Sequence, residues 1–338
     1  MAKKLQNKSI FGRVLGRLFF LVIALVAVFA IWFYQYASTP IDHVVQDFVV
    51  ESGGVKKVAD QLLKQGVIDQ TLPFLLLARV TGKHKLLKAG SYTISSALSP
   101  RQLLEKLSNG DTSTLTFTLI EGWKWTDFRK ALNSNSHLRH DSALMSDDEL
   151  LAELGISALT PEGLFFPDTY HVDKGSSDLK LLARAHQRMQ SKLDKAWAER
   201  SQNVQLKTPY EALILASLVE KETGLAADRP MIAGVFANRL RVGMRLQTDP
   251  AVMYGLGESL DGRLRKIDLL TDTPYNTYTR SGLPPTPIAM VGDAALKAVL
   301  HPSSTTALYF VAKGDGSSVF SNNLDEHNSA VRKYILRK

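Results

Sequence analysis

The amino-acid sequence predicts an α+β protein on a single N-terminal transmembrane helix, with a small strand–helix module followed by a mixed α/β domain. Three observations lead there. Leu18 to Tyr34 is an apolar run without charge or proline, three later segments share one strand–turn–helix pattern, and the C-terminal half carries two long stretches at helical spacing. The 338 residues leave room for an anchor and about two domains of ordinary size. With 45% hydrophobic and 22% charged residues the chain has the composition of a globular protein, not a disordered one.

The apolar run "LFFLVIALVAVFAIWFY" is extended by Gln35, Tyr36 and Ala37, which brings residues 18–37 to the ~20 needed to cross a bilayer. A cleaved signal peptide fits less well. Its apolar part is about 7–15 residues and ends at small residues, and "WFYQYASTP" is a poor cleavage site. Lys3, Lys4, Lys8, Arg13 and Arg17 precede the run with no acidic residue. By the positive-inside rule residues 1–17 are a cytoplasmic basic tail and everything after about residue 38 is exported. The tail supplies +5 of the net charge of +8, so the exported part is only mildly basic and gives little support to nucleic-acid binding. The absence of cysteine excludes a disulfide framework and a thiolate metal site.

After the polar linker "ASTPIDHVVQ" come "FVVESGGVKKVADQLLKQG" from Phe48, "YTISSALSPRQLLEKLSNG" from Tyr92 and "FTLIEGWKWTDFRKALNSN" from Phe117. Each opens with β-prone residues, passes a turn rich in Gly or Ser, then shows helical spacing. Their offsets differ, so this is a small module over residues 45–135 and not a repeat of fixed period. The chain turns polar between Ser134 and Gly163, a candidate junction in which Ser146 and Glu149 form a capping box. From Asp178 to Ser201 an amphipathic helix is expected, with Leu179, Leu182, Ala185, Met189, Leu193 and Trp197 facing a core.

"PYEALILASLVEKET", Pro209 to Thr223, has proline at a first-turn position and Gly224 where a C′ glycine would end a helix. Between Ala212 and Val219 only Ser217 is polar, so all faces of this helix are apolar and it belongs in the middle of its domain. Its last turn carries Glu220 and Glu222. The negative end of the helix dipole raises a carboxyl pKa there, and a carboxylic acid that keeps its proton near neutrality can act as a general acid. Ordinary surface pairing with Lys221 is the competing reading, and periodicity does not choose between the two glutamates. "RLQTDP" and "YNTYTRSGLPPTPI" follow, dense in amides, hydroxyls and aromatic rings beside Pro and Gly, the mixture of a sugar-binding cleft. No HExxH or Gly-rich phosphate loop is present, and His301 and His327 read as structural loop histidines.

The segments "EGLFFPDTY", "LASLVEKETG", "VFANRLRVGMRLQTDPAVMYGLG", "PYNTYTRSGLPPTPI" and "HPSSTTALYFVAKGDGSSVFSNNLDEHN" together resemble the YceG-like family of endolytic murein transglycosylases, also called MltG. The resemblance covers nearly the whole chain, anchor included, and is strongest from Glu162 to Asn328. It implies a bacterial inner-membrane lyase that needs no cofactor or metal. Such an enzyme cuts peptidoglycan glycan strands between N-acetylmuramic acid and N-acetylglucosamine and leaves a 1,6-anhydromuramoyl end. It places the catalytic domain at 160–338 in the periplasm and the catalytic glutamate at Glu222 with Glu220 as the alternative. Gln247, Thr248, Asp249, Tyr275, Asn276 and Tyr278 are candidates for holding the sugars or orienting Glu222, Asp249 alternatively for tuning the pKa of that glutamate, and Glu162 is a further candidate for the substrate site. The pair Glu222–Thr223 is also similar to the Glu-Ser pair of other lytic transglycosylases. Partners implied by the family are membrane-bound glycan polymerases and transpeptidases of the penicillin-binding class. Separately, the module at 45–135 is similar to LysM-type glycan-binding modules over about sixty residues; it could equally be a spacer. A non-enzymatic glycan-binding scaffold and a conventional muramidase are the rival readings.

Overall fold

Why the chain divides where it does is clearest from its packing. The computed structural model describes residues 2–41, 47–94, 97–112, 114–257 and 263–336. Contacts group Met1–Leu115 with Asp173–Gly175 as one unit, and Thr116–Val172 with Ser176–Lys338 as a second. The expected module at 45–135 and the expected junction at Ser134–Gly163 differ from this division. The third strand–turn–helix and the polar stretch after it both fall in the second unit.

In the first unit, α1 (Ala2–Ser38) contains the apolar stretch Gly16–Ser38, long and apolar enough to cross a membrane. Its outward side chains from Leu18 to Tyr34 are exposed, but Ala37 is buried and Phe33 packs on the core of the unit. Then follow β1 (Asp47–Val50), α2 (Val55–Lys64), α3 (Thr71–Val80), a 3-10 turn at Lys83–Lys85, β2 (Gly90–Thr93) and α4 (Pro100–Asn109). β1 and β2 pair antiparallel, Asp47 opposite Thr93 and Val50 opposite Gly90, which stacks the Phe48 and Tyr92 rings 5.6 Å apart on the buried face. α2 and α4 close the core with Leu62, Leu103 and Leu107. Much of the expected linker after Ile41 lies outside the described residues.

The second unit begins within β3 (Thr114–Thr118), which pairs with β4 (Thr169–Asp173). α5 (Trp125–Ser134) brings Trp125 and Phe128 onto Phe165, with ring centroids 5.2 and 5.6 Å from it. α6 (Asp147–Glu153) starts in the expected capping box: the Ser146 hydroxyl accepts the Glu149 N–H, and the Glu149 carboxylate accepts the Ser146 N–H at 2.8 Å. Ser146→Ala should cost about 1 kcal/mol, the usual worth of such a cap, measurable as a small fall in the urea midpoint. The polar stretch is fastened by the buried Asp178 carboxylate, which accepts the Ser142 hydroxyl at 2.6 Å.

α7 (Asp178–Ala198) buries Leu182, Ala185, Met189 and Leu193 as expected. Leu181 takes the inner position in place of Leu179. Trp197 is half-buried, with the Arg200 guanidinium 4.1 Å above its ring. α8 (Pro209–Glu222) is the central element, packed on α7, α9 (Arg229–Arg241), α10 (Asp249–Leu256) and α12 (Asp293–Leu300). Every residue from Ala212 to Val219 is buried. Ser217 satisfies itself in that setting by donating to the Ile214 carbonyl and accepting the Ile288 N–H. α11 (Lys266–Leu270) lies between α10 and α12 in sequence. The hairpin β5 (Tyr309–Ala312) and β6 (Ser318–Ser321), covered by α13 (Leu324–Tyr334), completes the unit.

Candidate active site

The last turn of α8 separates its two glutamates. The helix starts from Thr208, whose hydroxyl accepts the Glu211 N–H at 3.1 Å, with Pro209 at its first position. It stops because Thr223 turns extended (φ −148°, ψ 136°), not because Gly224 adopts the left-handed cap the sequence suggested. Glu220 and Glu222, about 200° apart around the axis, then meet different partners.

Glu220 is fastened. Its side chain is 4% exposed and pairs with Arg229 Nη2 at 3.0 Å, at the start of α9. Its other oxygen accepts the Gly292 N–H at 3.1 Å, at the start of α12. Burial raises its pKa, the Gly292 N–H and Arg229 oppose the rise, and the Glu121 carboxylate adds to it. The Glu121 carboxylate lies against the Gly292 backbone, so a side chain at position 292 would have to displace it.

Glu222 is half-buried and makes no comparable pair. Burial pushes its pKa up to about 7, and the negative charge of Asp249 pushes the same way; the Thr248 hydroxyl and the Arg239 guanidinium act against them. Thr248 Oγ1 is buried without a hydrogen-bond partner of ordinary geometry, yet lies near enough to Glu222 to favour its carboxylate form. Asp249, first residue of α10, accepts the Tyr278 hydroxyl at 2.6 Å.

The segment presenting Thr248 and Asp249 is held under strain. Gln247 has φ +52°, the one non-glycine positive φ among the described residues, one position before Thr248. Three groups hold it there. The Gln247 N–H donates to the Thr277 carbonyl at 3.1 Å, and the Thr248 N–H donates to Thr277 Oγ1 at 2.9 Å. The third is Arg239, buried on α9, which spreads its guanidinium over the Leu308 carbonyl (2.6 Å), the Leu246 carbonyl (2.8 Å), the Arg245 carbonyl (3.2 Å) and Gln247 Oε1 (3.3 Å). Its carbon end lies 5.3 Å from the centroid of the Tyr309 ring. Sequence reasoning missed Arg239, although a signal existed. It continues the buried stripe of Ile232, Val235 and Phe236 at helical spacing, where an arginine needs a reason.

A second buried acid lies toward the other end of α10. Glu162 is 3% exposed; both of its oxygens accept the Trp125 N–H at the start of α5 (3.0 and 3.1 Å), and the Tyr254 hydroxyl donates to it. Burial raises its pKa to about 7 against these partners and the charge of Lys124. Tyr254 meets Tyr275 edge-on at 4.8 Å, and Tyr275 shares a hydrogen bond of 2.8 Å with Thr286.

Of the residues expected from sequence, Glu222, Gln247, Thr248, Asp249 and Tyr278 come together, while Glu162 and Tyr275 gather around Tyr254. Asn276 is fully buried and spends its amide on the Leu269 and Thr271 carbonyls and on the Tyr278 N–H. Its geometry shapes the turn that carries Tyr278 and leaves nothing for a sugar. His301 shares a hydrogen bond with Ser201, and His327 stacks on Tyr309. Among the described residues no group of three His, Asp or Glu is placed to hold a metal ion. A cavity of about 280 Å³ lined by Leu215, Asn238, Arg241 and Ser303 contains none of the site side chains.

Known proteins resemble this chain in sequence and architecture. A model of the YceG-like family matches residues 48–333. A Bacillus subtilis protein named endolytic murein transglycosylase is 32% identical over 307 residues, covering 86% of this chain and 84% of its own. A longer Streptococcus pneumoniae protein of the same name is 28% identical over 361 residues; the match covers 95% of this chain and 65% of that one. The crystal structure of a yceG-like protein from Listeria monocytogenes aligns with a TM-score of 0.55 at 29% identity, over 85% of this chain and 99% of that one.

Proposed function

The chain belongs to the YceG-like family, and on that premise we propose that it is an endolytic murein transglycosylase, a lyase that cuts peptidoglycan glycan strands internally. It breaks the bond between N-acetylmuramic acid and N-acetylglucosamine and leaves a 1,6-anhydro end. The observation that carries the assignment of the acid is the contrast within one helical turn: Glu220 is committed to Arg229 and Gly292, whereas Glu222, its pKa raised to about 7 by burial, has the neutral Thr248 hydroxyl beside it in place of an ion pair.

Glu222 donates that proton to the departing glycosidic oxygen as positive charge develops at the muramoyl C1. The bond from C1 to that oxygen breaks, and the freed sugar leaves with a hydroxyl. The Glu222 carboxylate then takes the proton of the muramoyl 6-hydroxyl, whose oxygen closes onto C1. Water is not consumed, so the second carboxylate of an ordinary glycosidase is not required. Asp249 favours the protonated acid before transfer; Arg239 and Thr248 favour the carboxylate after it. Tyr278 and Tyr275 hold the sugars, and Glu162, buried against the Trp125 N–H and the Tyr254 hydroxyl, positions Tyr254 beside Tyr275.

The anchor Gly16–Ser38 crosses the inner membrane once, with the basic N-terminus in the cytoplasm and the catalytic part, residues 160–338, in the periplasm. Lys3, Lys4, Lys8 and Arg13 before the span and Arg17 at its very start, with no acidic residue among them, support that orientation. The strand–helix module binds glycan as LysM-like modules do or serves as a spacer, and its β1–β2 ribbon flanked by helices fits both roles. Glycan polymerases in the same membrane supply the nascent strands, and transpeptidases there work on the same strands.

Full-length protein incubated with uncrosslinked glycan strands should yield anhydro ends by mass spectrometry. Glu222→Gln should yield none, and Glu220→Gln should retain the product type. No product from the wild type would favour a binding scaffold, reducing ends would mean a hydrolase, and equal product from Glu222→Gln would sink the assignment.

A further inference from the structure

The first unit carries an apolar helix face that its own core does not use. In α3, Pro73, Phe74, Leu77 and Ala78 point inward, while Leu72 is 78% and Val80 68% exposed. Leu72, the half-buried Leu76 and Val80 follow one another at four-residue intervals, so they form one stripe along the helix, exposed at its two ends. Leu86, just beyond, is also exposed. Residues 69–88 hold one acid, Asp69, against Arg79, Lys83, Lys85 and Lys88. An apolar stripe with a basic flank is the pattern of a helix that lies in a membrane interface.

The placement of the anchor says which surface covers it. α1 does not leave the membrane through a loose tether. Its last turn is part of the first unit, with Ala37 buried, Phe33 packed on the core, and the helix in contact with α3 and α4. The Ile41 N–H donates to the Leu98 carbonyl, just before α4, and Asp69, just before α3, lies within electrostatic reach of Tyr36. The exposed apolar band of the anchor ends at Tyr34, two residues before Tyr36.

We propose that α3 and the basic turn after it rest on the outer leaflet of the membrane crossed by α1, with Leu72, Leu76 and Val80 among the upper acyl chains and Arg79 and Lys85 on anionic headgroups. The proposal rests on the reading of α1 as a membrane span. It gives the unit a second attachment and makes it a platform fixed on the bilayer.

The chain has no cysteine, so single nitroxide labels are clean. Full-length Leu72→Cys, Val80→Cys and Leu63→Cys, the last exposed on α2, are placed in nanodiscs containing phosphatidylglycerol, with Val26→Cys to report the span. The oxygen-to-nickel accessibility ratio at positions 72 and 80 should be several-fold above that at 63 and below that at 26. A water-like ratio at 72 and 80 with a lipid-like one at 26 overturns the proposal alone; a water-like ratio at 26 overturns the span. Labels at 72 and 80 shielded from both reagents would mean a protein partner or a second copy, which also overturns it. An unchanged ratio in phosphatidylcholine discs overturns the part assigned to anionic headgroups.

Discussion

Glu222→Gln should lower the rate of anhydro-end formation by about 10²–10⁴, the usual worth of a positioned general acid, while making the folded protein more stable at pH 8. Both effects come from one cause. Burial and Asp249 hold the carboxyl pKa of Glu222 at about 7, above its unfolded value of 4.5. Between those pH values the folded state binds the extra proton, so stability falls as pH rises through the window and the loss is complete above pH 7. Its size is on the order of 3 kcal/mol. Glutamine resembles the neutral acid and never pays it, so the thermal midpoint of the variant should match wild type near pH 4 and exceed it near pH 8. Glu162 has a similar shift but is present in both proteins and cancels. In the wild type, kcat/KM should fall tenfold per unit above about pH 7, because the acid must be protonated to act. A variant midpoint no higher than wild type at pH 8 would show that Glu222 titrates like a surface residue.

Arg239→Met should be the most damaging change that leaves every carboxylate in place. Methionine fills the space above Tyr309 but leaves the Leu246 and Leu308 carbonyls without their donor, and Gln247 loses a restraint on its positive φ. Unpaired buried acceptors cost about 1–3 kcal/mol each, so a loss near 3 kcal/mol and a fall of roughly 6–12 °C in the thermal midpoint are expected. Arg239→Lys should recover only part, since one ammonium cannot reproduce the planar fan. A second readout separates this from instability alone. The guanidinium lowers the Glu222 pKa, so in Arg239→Met the alkaline fall of the pH–rate profile should move to higher pH. A profile that keeps its wild-type midpoint would confine Arg239 to a structural role.

Local pattern accounts for most of what the sequence foretold. The three strand–turn–helix segments, the capping box at Ser146, the start of α8 and the burial of Ala212–Val219 follow from periodicity and cap chemistry, which act over a few residues. Strand pairing could not be read in the same way. β3 finds its partner in β4, some fifty residues on, and that long-range choice draws the third strand–helix segment away from the first two. In the site, the sequence narrowed the acid to two glutamates and stopped, because their difference lies in Arg229, Gly292 and Asp249, which reach them through tertiary packing. Asn276 was grouped with the sugar-binding residues by its company of tyrosines, although its amide is fully used by backbone groups. Tyr254, which joins Glu162 to Tyr275, gave no sequence signal beyond being one aromatic among several.

Helix ends fray because their last carbonyls have no partner within the helix, and an acid on a fraying turn would be a poorly aimed one. In α8 the residue two positions before Glu222 is tied to Arg229, the first residue of α9, and to Gly292, the residue just before α12. Those two ties set the rotational phase of the last turn, as two pegs set a dial. Glu222, on the far side of the same turn, inherits that setting and keeps only its own side-chain torsions as freedom. An insertion of one residue between Glu220 and Glu222 would leave both ties intact and still swing the acid by about 100°, so the spacing of the two glutamates is itself a dimension of the active site.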